Sequence, residues 1–574
     1  MDELNKMNGS KILLESLISQ GVDTVFGYPG GSIIPVYDAL YDCSDRLRHI
    51  LVRHEQGAIH AAQGYARIKN LPGTVIVTSG PGVTNVITGV ADAMVDSTPV
   101  VVIAGQVSTG ALGTDAFQET DLVGLTTPIS KWAYQIRRPE DIPWAVARAY
   151  YIARSGRPGP VVLDLPKDVQ TGTAEYVPQT CNFIRSYVPY PKPDENAISQ
   201  AVKMINESHR PFVVYGHGII LSEAETELEA FLDKGNIPAG STMLGLSALD
   251  SDNIHYHGML GMHGSISCNV LTQNCDLLIA VGMRFSDRIT GIVPTYAKQA
   301  KIIHVDIDES EIGKNVPVDL GILGDAGTVL RMLTEAMDRK DKSDWTAEFH
   351  ECKETESLRV VEPEIHPLSG PIRPGEVVSC IAEECGGNAV IVTDVGQNQL
   401  FASRYSKFKQ TRSMITSGGL GTMGFGIPAA IGAKIAAPYR QVVLFVGDGG
   451  FQMTVQELGT IMQENTGVKI VIINNNWLGN VRQLQEIFYG DRYSFTRMMN
   501  PDYEKLASAY GIAFLNVNDR QELKPSVQRM LSDDCPFILN VNVCEEDNVF
   551  PMIPPGKSID QILLNSKDWY EYGK

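Results

Sequence analysis

The sequence predicts an α/β protein of three consecutive domains, each built on a doubly wound parallel β-sheet. Three observations predict it: a length of 574 residues, short apolar runs rich in β-branched residues, and glycines where those runs end. Runs that are apolar on both faces are typical of parallel strands covered by helices. At about 150 residues per domain, the length allows three or four hydrophobic cores. The runs span residues 74–78, 100–104, 160–165, 211–215, 277–281, 301–306, 389–394, 442–446 and 469–473.

Two stretches without this pattern are predicted to be linkers, because they are rich in proline or in charge. The predicted linkers are residues 176–196 and 339–370, and the predicted domains are residues 1–180, 190–340 and 370–574. Residues 74–106 and 441–476 both follow the order strand, glycine turn, helix, strand. The first and third domains therefore look like weak copies of each other.

The composition excludes several classes of partner. Lysine and arginine number 48 against 67 aspartates and glutamates, which gives a net charge of −19. Such an acidic surface repels phosphate backbones and anionic lipid, so we expect no nucleic-acid or membrane partner. Nine scattered cysteines, an odd number, indicate a reducing compartment. The first residues lack a basic or Arg/Ser-rich leader pattern, so we predict a cytoplasmic protein.

The most specific chemical pattern is a Gly-Asp-Gly-Gly turn at residues 447–450, between a strand and a helix. Glycines let backbone N–H groups approach an anion, and the helix N-terminus adds partial positive charge, which suits a diphosphate. Asp448 would supply the hard oxygen that Mg²⁺ prefers. The next strand ends in three asparagines at 474–476, which a parallel sheet places beside Asp448. Alternatively, Asp448 only caps the turn and the asparagines form a loop.

A second glycine pattern favours a different class of enzyme. Gly419, Gly421 and Gly424 satisfy G-x-G-x-x-G, and Asp448 follows at a strand end, as the ribose-binding acid of a dinucleotide-dependent dehydrogenase would. This match is weak, because it explains neither the second glycine turn nor the asparagine run.

Glu55 is the candidate acid of the N-terminal domain. It lies in the segment Arg53-His54-Glu55-Gln56, where a predicted strand ends and a helix begins, so its side chain can extend beyond the sheet edge. The alternative is a surface glutamate favoured by the helix dipole.

Together these residues resemble the thiamine diphosphate enzymes. The order of GDG, helix, strand and NN is similar to the diphosphate and magnesium motif of that family. The resemblance implies that Asp448, the Asn475 side chain and the Trp477 carbonyl ligate Mg²⁺. It also implies that Glu55 hydrogen-bonds to N1′ of the cofactor pyrimidine, which activates the cofactor. In the family these two halves come from different subunits, so a homodimer or a dimer of dimers is implied.

The resemblance covers almost the whole chain and narrows to the catalytic subunits of acetohydroxyacid (acetolactate) synthases. It is carried in order by FGYPGG, VRHEQ, DAFQE, GRPGPVVLDLPKD, GMRFSDRITG, HVDID, TDVGQ, GGLGTMGFGIPAAIGA, VQELGT, LGNVRQ and PMIPPG. It implies a transferase with the fold of pyruvate oxidases and decarboxylases. Such an enzyme decarboxylates pyruvate and transfers the hydroxyethyl carbanion to pyruvate or 2-oxobutyrate, giving 2-acetolactate or 2-aceto-2-hydroxybutyrate. This is the first common step of branched-chain amino acid biosynthesis.

The resemblance also assigns residues to the site. Glu55, Gln118, Lys167 and Arg288 would be catalytic, with Arg288 holding the carboxylate of the second 2-oxoacid. Phe117, Arg288 and Leu484 would line the substrate pocket, and Met423 would bend the cofactor. The implied thiamine diphosphate site comprises Gly31, Glu55, Pro81, Asn85, Gln397, Gly421, Met423, Gly447, Asp448, Gly449, Gly450, Asn475, Trp477 and Gly479.

The middle domain has glycine-rich segments at 216–218 and 261–264, which fit a nucleotide site but equally fit tight helix packing. The resemblance implies that this domain binds FAD, and that the FAD is structural because the reaction is redox-neutral. The implied contacts are Arg157, Gly216, His217, Gly218, Thr242, His263, Gly264, Arg284, Asp306, Ile307 and Asp325. A flavin-using pyruvate oxidase of the same fold is the alternative. We expect no metal at His255, His257 and His263, which lack further ligands at suitable spacing.

Three positions depart from the pattern of the acetohydroxyacid synthases. Leu484 replaces a tryptophan that favours 2-oxobutyrate as acceptor and stacks on inhibitors, so we expect relaxed acceptor preference. Ser286 replaces an aspartate, and Asn398 replaces a histidine. The resemblance further implies 2-oxoacid substrates and the possibility of a small regulatory subunit.

Overall fold

The computed structural model describes residues 6–339 and 343–571, and within them it contains three six-stranded, fully parallel sheets. The predicted fold class is confirmed. The strands of the N-terminal domain are β1 (Lys6–Asn8), β2 (Thr24–Gly27), β3 (Arg48–Leu51), β4 (Gly73–Val77), β5 (Val100–Gln106), β6 (Trp132–Gln135), β7 (Pro160–Pro166) and β8 (Thr173–Glu175). Its helices are α1 (Gly9–Ser19), α2 (Ile34–Tyr41), α3 (Glu55–Lys69), α4 (Pro81–Thr84), α5 (Ile87–Val95), α6 (Leu122–Thr126), α7 (Ile142–Arg154) and α8 (Lys167–Thr171).

The middle domain comes after a segment that contains no helix. Its strands are β9 (Pro211–Tyr215), β10 (Ala239–Ser241), β11 (Tyr256–Met259), β12 (Leu277–Val281), β13 (Lys301–Asp306) and β14 (Leu320–Leu323). Its helices are α9 (Glu195–Glu207), α10 (His217–Leu221), α11 (Glu225–Gly235), α12 (Ile266–Thr272), α13 (Asp287–Thr290) and α14 (Ala326–Ala336).

The second predicted linker is largely helical. It contains α15 (Ser343–Glu356), a π-helix (Ser357–Val361) and α16 (Glu362–Ile365), while residues 340–342 lie outside the described residues. Trp345 and Phe349 of α15 are buried against the middle domain, and Trp345 Nε1 donates to the Pro211 carbonyl at 2.7 Å. The segment still lies between the middle and C-terminal domains, but it is helical, because its charged residues surround two aromatics that lie on one face of a helix.

The C-terminal domain completes the chain. Its strands are β15 (Val390–Thr393), β16 (Met414–Ile415), β17 (Val442–Gly447), β18 (Val468–Asn474), β19 (Ala513–Val517) and β20 (Phe537–Asn542). Its helices are α17 (Pro374–Glu384), α18 (Gln397–Tyr405), α19 (Gly426–Ala436), α20 (Asp448–Met453), α21 (Leu458–Glu464), α22 (Gly479–Tyr489), α23 (Tyr503–Ala509) and α24 (Arg520–Leu531). Short 3₁₀ turns occur at Thr109–Ala111, Thr127–Ile129, Pro139–Asp141, Met243–Gly245, Val293–Thr295, Glu309–Glu311 and Val455–Glu457.

The first and third sheets share one strand order. The order is β3-β2-β4-β5-β7-β6 in the first sheet and β16-β15-β17-β18-β20-β19 in the third. Both are 2-1-3-4-6-5 when the six strands of each sheet are numbered from one in chain order. The middle sheet, β11-β10-β9-β12-β13-β14, is instead 3-2-1-4-5-6. That is the order of dinucleotide-binding folds, in which ligands bind where the order reverses.

Helices α3 and α19 join the first and third domains. A Cβ on Gly64 would lie 2.0 Å from the Ala429 carbonyl oxygen, and one on Gly432 would lie 1.8 Å from that of Ala61. The two helices therefore pack backbone to backbone, which only glycine allows at these positions. Within the described residues, no helix combines the length and the apolarity needed to cross a bilayer.

Candidate active site

Asp448 lies at the carboxyl edge of the C-terminal sheet. Strand β17 ends at Gly447, which pairs with Ile473 of β18, so Asp448 lies beside the asparagines that come after β18. A Cβ on Gly450 would lie 2.4 Å from Asp394 Oδ1, so the start of α20 requires glycine for this close approach. The register thus produces the predicted juxtaposition.

The Asp448 carboxylate is buried among amide groups. Burial raises the pKa of Asp448 to about 6, although a hydrogen bond from Asn500 opposes the shift. Asn500 Nδ2 lies 2.7 Å from Asp448 Oδ2, 3.0 Å from Asn474 Oδ1 and 3.1 Å from Asn476 Oδ1. Asn500 therefore links the Asp448 carboxylate to the asparagine run. Sequence reasoning missed it, because it lies 52 positions after Asp448 in a segment without any recognisable motif.

The donors at this edge fit a magnesium ion. No group of three His, Cys, Asp or Glu side chains in the described residues could hold a metal. Asp448 supplies one carboxylate, and Asn475 Oδ1, which accepts from the Trp477 amide at 3.1 Å, supplies an amide oxygen. One carboxylate with amide and carbonyl oxygens suits Mg²⁺, which keeps few protein ligands and binds phosphate oxygens as well.

Gln397 and Gly479 lie against Asn475. A Cβ on Gly479 would lie 2.1 Å from Gln397 Oε1 and 2.7 Å from Asn475 Nδ2. Asn475 Nδ2 donates to Gln397 Oε1 at 3.3 Å, and Gln397 Nε2 donates to Gln483 Oε1 at 3.1 Å. The structure therefore brings these predicted cofactor residues together.

Residues 416–424 form a loop beside the turn at Asp448. The Met423 methyl group lies 3.8 Å from a Cβ built on Gly449, and Gly421 has a positive φ of 72°. The Gly424 amide donates to buried Asp394 at 2.9 Å. Met423 is therefore next to the turn at Asp448, and Gly421 lies two residues before Met423 in the same loop.

The same loop is held from the N-terminal domain. Asp96 accepts from the Gly418 and Gly419 amides at 2.8 and 2.7 Å and pairs with Arg67 at 2.8 Å. Asp92 accepts from the Ser417 hydroxyl. Asp92 and Asp96 lie in no motif that the sequence analysis singled out, and Asp394 lies in TDVGQ without an assigned role, so the contribution of these three residues was not predicted.

Glu55 is the first residue of helix α3, and it contacts residues 82–85, where Asn85 is another of the predicted cofactor residues. Asn85 Nδ2 donates to Glu55 Oε2 at 2.9 Å, and a Cβ on Gly82 would lie 3.6 Å from Glu55 Oε1. Gln118 has a left-handed φ of 61°, and its Cβ lies 2.9 Å from one built on Gly80, next to Pro81. A non-glycine residue held in this region is costly and is typical of functional sites.

Other predicted residues lie apart from these clusters. Gly31 is in the turn after β2, where the Ser32 amide donates to Thr78 Oγ1 at 3.2 Å. Lys167 begins α8 and is exposed, and Phe117 is 87% exposed. Leu484 is half-buried on α22. Among the described residues, no hydrogen bond joins the Glu55 cluster to the Asp448 cluster, so one chain presents two half-sites.

A cleft of about 810 Å³ opens where the middle sheet reverses its strand order. It lies between the ends of β9 and β12, and loop residues Gly418 and Gly419 form part of its wall. Arg288 also lines the cleft, and its side chain pairs with Asp287 at 3.5 Å. Eight of the predicted flavin contacts line it: Arg157, His217, Gly218, Thr242, Arg284, Asp306, Ile307 and Asp325.

The remaining predicted flavin contacts lie outside the lining. Gly216 lies close to the residues that follow β12, since a Cβ on Gly216 would lie 2.6 Å from Met283 Cβ. Gly264 packs on the Met259 carbonyl, and neighbouring His263 is buried with a partnerless Nδ1 in the described structure. Burial lowers the pKa of His263 to about 4, so this ring is neutral at pH 7.

Arginines and carboxylates lie next to each other at the cleft. Arg157 pairs with Asp308 at 3.1 Å and with Glu311 at 2.8 Å. Burial lowers the pKa of Arg284 and raises the pKa of Asp306 to about 6. The volume, the arginines and the position in the sheet suit a dinucleotide.

The structure places the two other departing residues. Asn398 Nδ2 donates to the Phe445 carbonyl at 2.9 Å and so supports β17 just before the turn at Asp448. Ser286 precedes α13 at the wall of the cleft.

Comparisons with known proteins agree with this geometry. The chain matches the family models for the N-terminal TPP binding domain (residues 7–125), the central domain (198–333) and the C-terminal TPP binding domain (394–541) of thiamine pyrophosphate enzymes. Thiamine pyrophosphate is the same compound as thiamine diphosphate.

Full-length relatives define the family more narrowly. The chain is 43% identical over 558 residues to the acetolactate synthase large subunit of Lactococcus lactis, covering 97% of this chain and 96% of that one. It is 42% identical over 558 residues to the isozyme 2 large subunit of Escherichia coli, covering 97% and 99%. A probable large subunit of Methanocaldococcus jannaschii is 43% identical over 571 residues, covering 97% and 95%. The chain therefore belongs to the thiamine pyrophosphate enzyme family and, within it, to the acetolactate synthase large subunits.

Proposed function

We propose that the protein is the catalytic subunit of an acetolactate synthase. It decarboxylates pyruvate and joins the two-carbon fragment to a second 2-oxoacid, pyruvate or 2-oxobutyrate. The observation that carries this proposal is the pair of half-sites on two sheets of one topology: Glu55 with Asn85 on the first, and Asp448 with the asparagine run on the third.

Asp448, the Asn475 side chain and the Trp477 carbonyl would hold Mg²⁺, and the turn at 447–450 would bind the diphosphate. When bound, thiamine diphosphate supplies the nucleophilic carbon and the electron sink for decarboxylation. Gly421 and Met423 would hold the pyrimidine from the adjoining loop. Asn85 would orient Glu55 Oε2, which leaves Oε1 for N1′ of the pyrimidine.

Arg288, Lys167 and Gln118 would handle the 2-oxoacids. A guanidinium fork suits the carboxylate of the acceptor, so Arg288 is the proposed binding group. Phe117 and Leu484 would form apolar walls, and exclusion of water would protect the reactive carbon from protonation.

FAD would occupy the cleft of the middle domain in a structural role. The arginines Arg157 and Arg284 would face its diphosphate, and Asp306, Ile307 and Asp325 would lie at the far strand ends. Support comes from the 3-2-1-4-5-6 strand order and from the volume of the cleft.

We further propose assembly as a homodimer or a dimer of dimers, because two copies can complete the half-sites that one chain leaves apart. A small regulatory subunit and a cytoplasmic location fit the large-subunit family and the free cysteines.

The test is a Glu55→Gln variant of the protein loaded with thiamine diphosphate, Mg²⁺ and FAD. We expect acetolactate formation from pyruvate to fall by about 10²–10⁴-fold, the usual loss when a proton-handling group is removed. Glu175→Gln, at the exposed end of β8, is the matched control and should leave the rate unchanged. Undiminished condensation by Glu55→Gln would overturn the proposal.

A further inference from the structure

A buried glutamate of the C-terminal domain lies at the start of the helix that begins with Glu55. Glu457 is fully buried at the end of the 3₁₀ turn Val455–Glu457, just before α21. Its two carboxylate oxygens accept from the Arg53 backbone amide at 3.1 and 3.2 Å. Thr460 Oγ1 donates to Glu457 Oε2 at 2.6 Å. This carboxylate is therefore bound to the chain two residues before Glu55.

The approach of α3 to Glu457 is close and polar. A Cβ on Gly57 would lie 2.3 Å from Glu457 Oε1, so this turn of α3 needs glycine to reach the carboxylate. Burial raises the pKa of Glu457, while hydrogen bonds from Thr460 and from the Arg53 and His54 amides lower it. A carboxylate at a helix N-terminus is also favoured by the helix dipole. Glu457 thus acts as a cap supplied by another domain.

The contact is made in both directions. The Arg53 guanidinium donates to the Gly459 carbonyl at 3.0 Å and to Gln463 Oε1 at 2.9 Å. A Cβ on Gly459 would lie 2.8 Å from Arg53 Nε, so the two segments touch without a gap. Residues 53–57 and 457–463 therefore form one interdomain contact, which we name the Glu457 clasp.

The position of Glu55 depends on this clasp. The Glu55 carboxylate has one hydrogen bond within the described structure, from Asn85, so its side chain alone is weakly fixed. Glu55 is the first residue of α3, and it lies two residues after Arg53, whose backbone amide donates to Glu457. A shift of about 1 Å in a reacting group can cost about 100-fold in rate.

We propose that Glu457 is a positioning residue that holds the start of α3, so that the Glu55 carboxyl meets the cofactor pyrimidine. The inference rests on the proposed function, because it takes the role of Glu55 from there. It makes docking of the N-terminal and C-terminal domains of one chain a condition for cofactor activation.

The experiment compares Glu457→Gln with wild type in the protein loaded with thiamine diphosphate, Mg²⁺ and FAD. The main readout is the rate of hydrogen–deuterium exchange at C2 of the bound cofactor, which reports activation before pyruvate binds. We expect this rate to fall by about 10-fold or more, with a cofactor Kd within about threefold of wild type. In the cofactor-free chain, amide exchange of residues 53–58 should accelerate. Glu504→Gln, on the exposed face of α23, is the control and should change neither quantity.

A second pair of variants protects the test against a folding defect. Thr460→Val removes the hydroxyl that binds Glu457, whereas Thr460→Ser keeps it. We expect C2 exchange to slow in Thr460→Val and to be retained in Thr460→Ser. Equal rates in these two variants would overturn the inference even if Glu457→Gln did not fold.

Two further outcomes separate this inference from the proposed function. Slow C2 exchange in Glu55→Gln with normal exchange in Glu457→Gln contradicts the inference alone. Normal exchange in Glu55→Gln contradicts the proposed role of Glu55, and the inference with it. A parallel loss of cofactor affinity in Glu457→Gln would mean that Glu457 builds the site and does not position Glu55, which also overturns the proposal.

Discussion

The N-terminal and C-terminal domains share a strand order but differ in the connections at the ends of their strands. In the first, β3 leads into α3 through a short connection that ends at His54, and Glu55 is the first residue of the helix and lies beside Asn85. In the third, β17 leads into α20 through a glycine turn, and Asp448 lies among asparagines. One topology thus presents a lone carboxyl group at one sheet edge and the proposed anion and metal site at the other. The connections after the strands, and not the sheet itself, therefore decide the chemistry of each edge.

The two domains also hold each other in the same way. An acid on the C-terminal side, Glu457, holds the segment before α3, and Asp96 of the N-terminal domain holds the loop before α19. Each contact precedes one of the two central helices that pack backbone to backbone. Three predictions test how far this likeness between the domains extends.

The largest effect is expected for Asp96→Asn. Asp96 is buried and pairs with Arg67, which is buried as well, so the variant leaves a guanidinium without its charged partner. Breaking one side of a buried ion pair costs about 3–5 kcal/mol. We expect the urea unfolding midpoint to fall clearly below that of wild type.

Asp45→Asn, at an exposed position of the same domain, is the control for Asp96→Asn and should leave the midpoint unchanged. If Asp96→Asn were as stable as this control, the two interdomain contacts would not be equivalent. The docking of the domains would then depend on the Glu457 clasp and the packing of α3 on α19.

The second prediction uses two lysines that distinguish the domains, Lys131, which is half-buried, and Lys469, which is buried. Among the described residues, Lys131 donates to three neutral oxygens, the Ile152 and Ser155 carbonyls and the Tyr187 hydroxyl, and burial lowers its pKa to about 7. Lys469 of β18 lies 3.4 Å from Asp533, although burial lowers its pKa too. Within the described residues Lys131 makes no salt bridge, and the Asp308 carboxylate only partly offsets the effect of burial on its pKa. Lys469, by contrast, pairs with Asp533.

The sign of the pH effect is set by proton binding. Above about pH 7 the folded Lys131 is neutral, whereas an unfolded lysine stays charged to about pH 10. The unfolded chain then binds more protons, so Lys131 makes stability rise with pH, by about 1–2 kcal/mol between about pH 7 and about pH 9. Lys131→Met should remove this rise in the urea midpoint, and Lys69→Met, at an exposed site, should not. A rise that survives in Lys131→Met would contradict the low pKa.

The fold was predictable from the sequence because its signals are local. Continuous apolar runs marked three strands in each sheet, and the turn at 447–450 with the asparagine run marked one half-site. The outermost strands, such as β14 and β19, were not among the predicted runs because they are short or carry polar residues. The groups that hold these pieces were not predictable, because Asn500, Asp96 and Glu457 act on residues distant in sequence. The helix at 343–356 was missed because charge masked two aromatics that pack on the middle domain.

The smallest effect is expected at Leu484, the position on α22 where the acetohydroxyacid synthase pattern has tryptophan. Leu484 is half-buried, and the preceding Gln483 anchors the helix by donating to the Val549 carbonyl at 3.1 Å. An aromatic wall contacts the extra methylene of 2-oxobutyrate over a larger area than leucine does, and one methylene is worth about 10-fold in such a pocket. We expect Leu484→Trp to raise the ratio of 2-aceto-2-hydroxybutyrate to 2-acetolactate by about that factor when both acceptors compete. Val481→Trp, exposed on the same helix, is the matched control. An unchanged product ratio in Leu484→Trp would show that this edge of the C-terminal domain does not select the acceptor, and the preference would then have to arise at Arg288 and the N-terminal half-site.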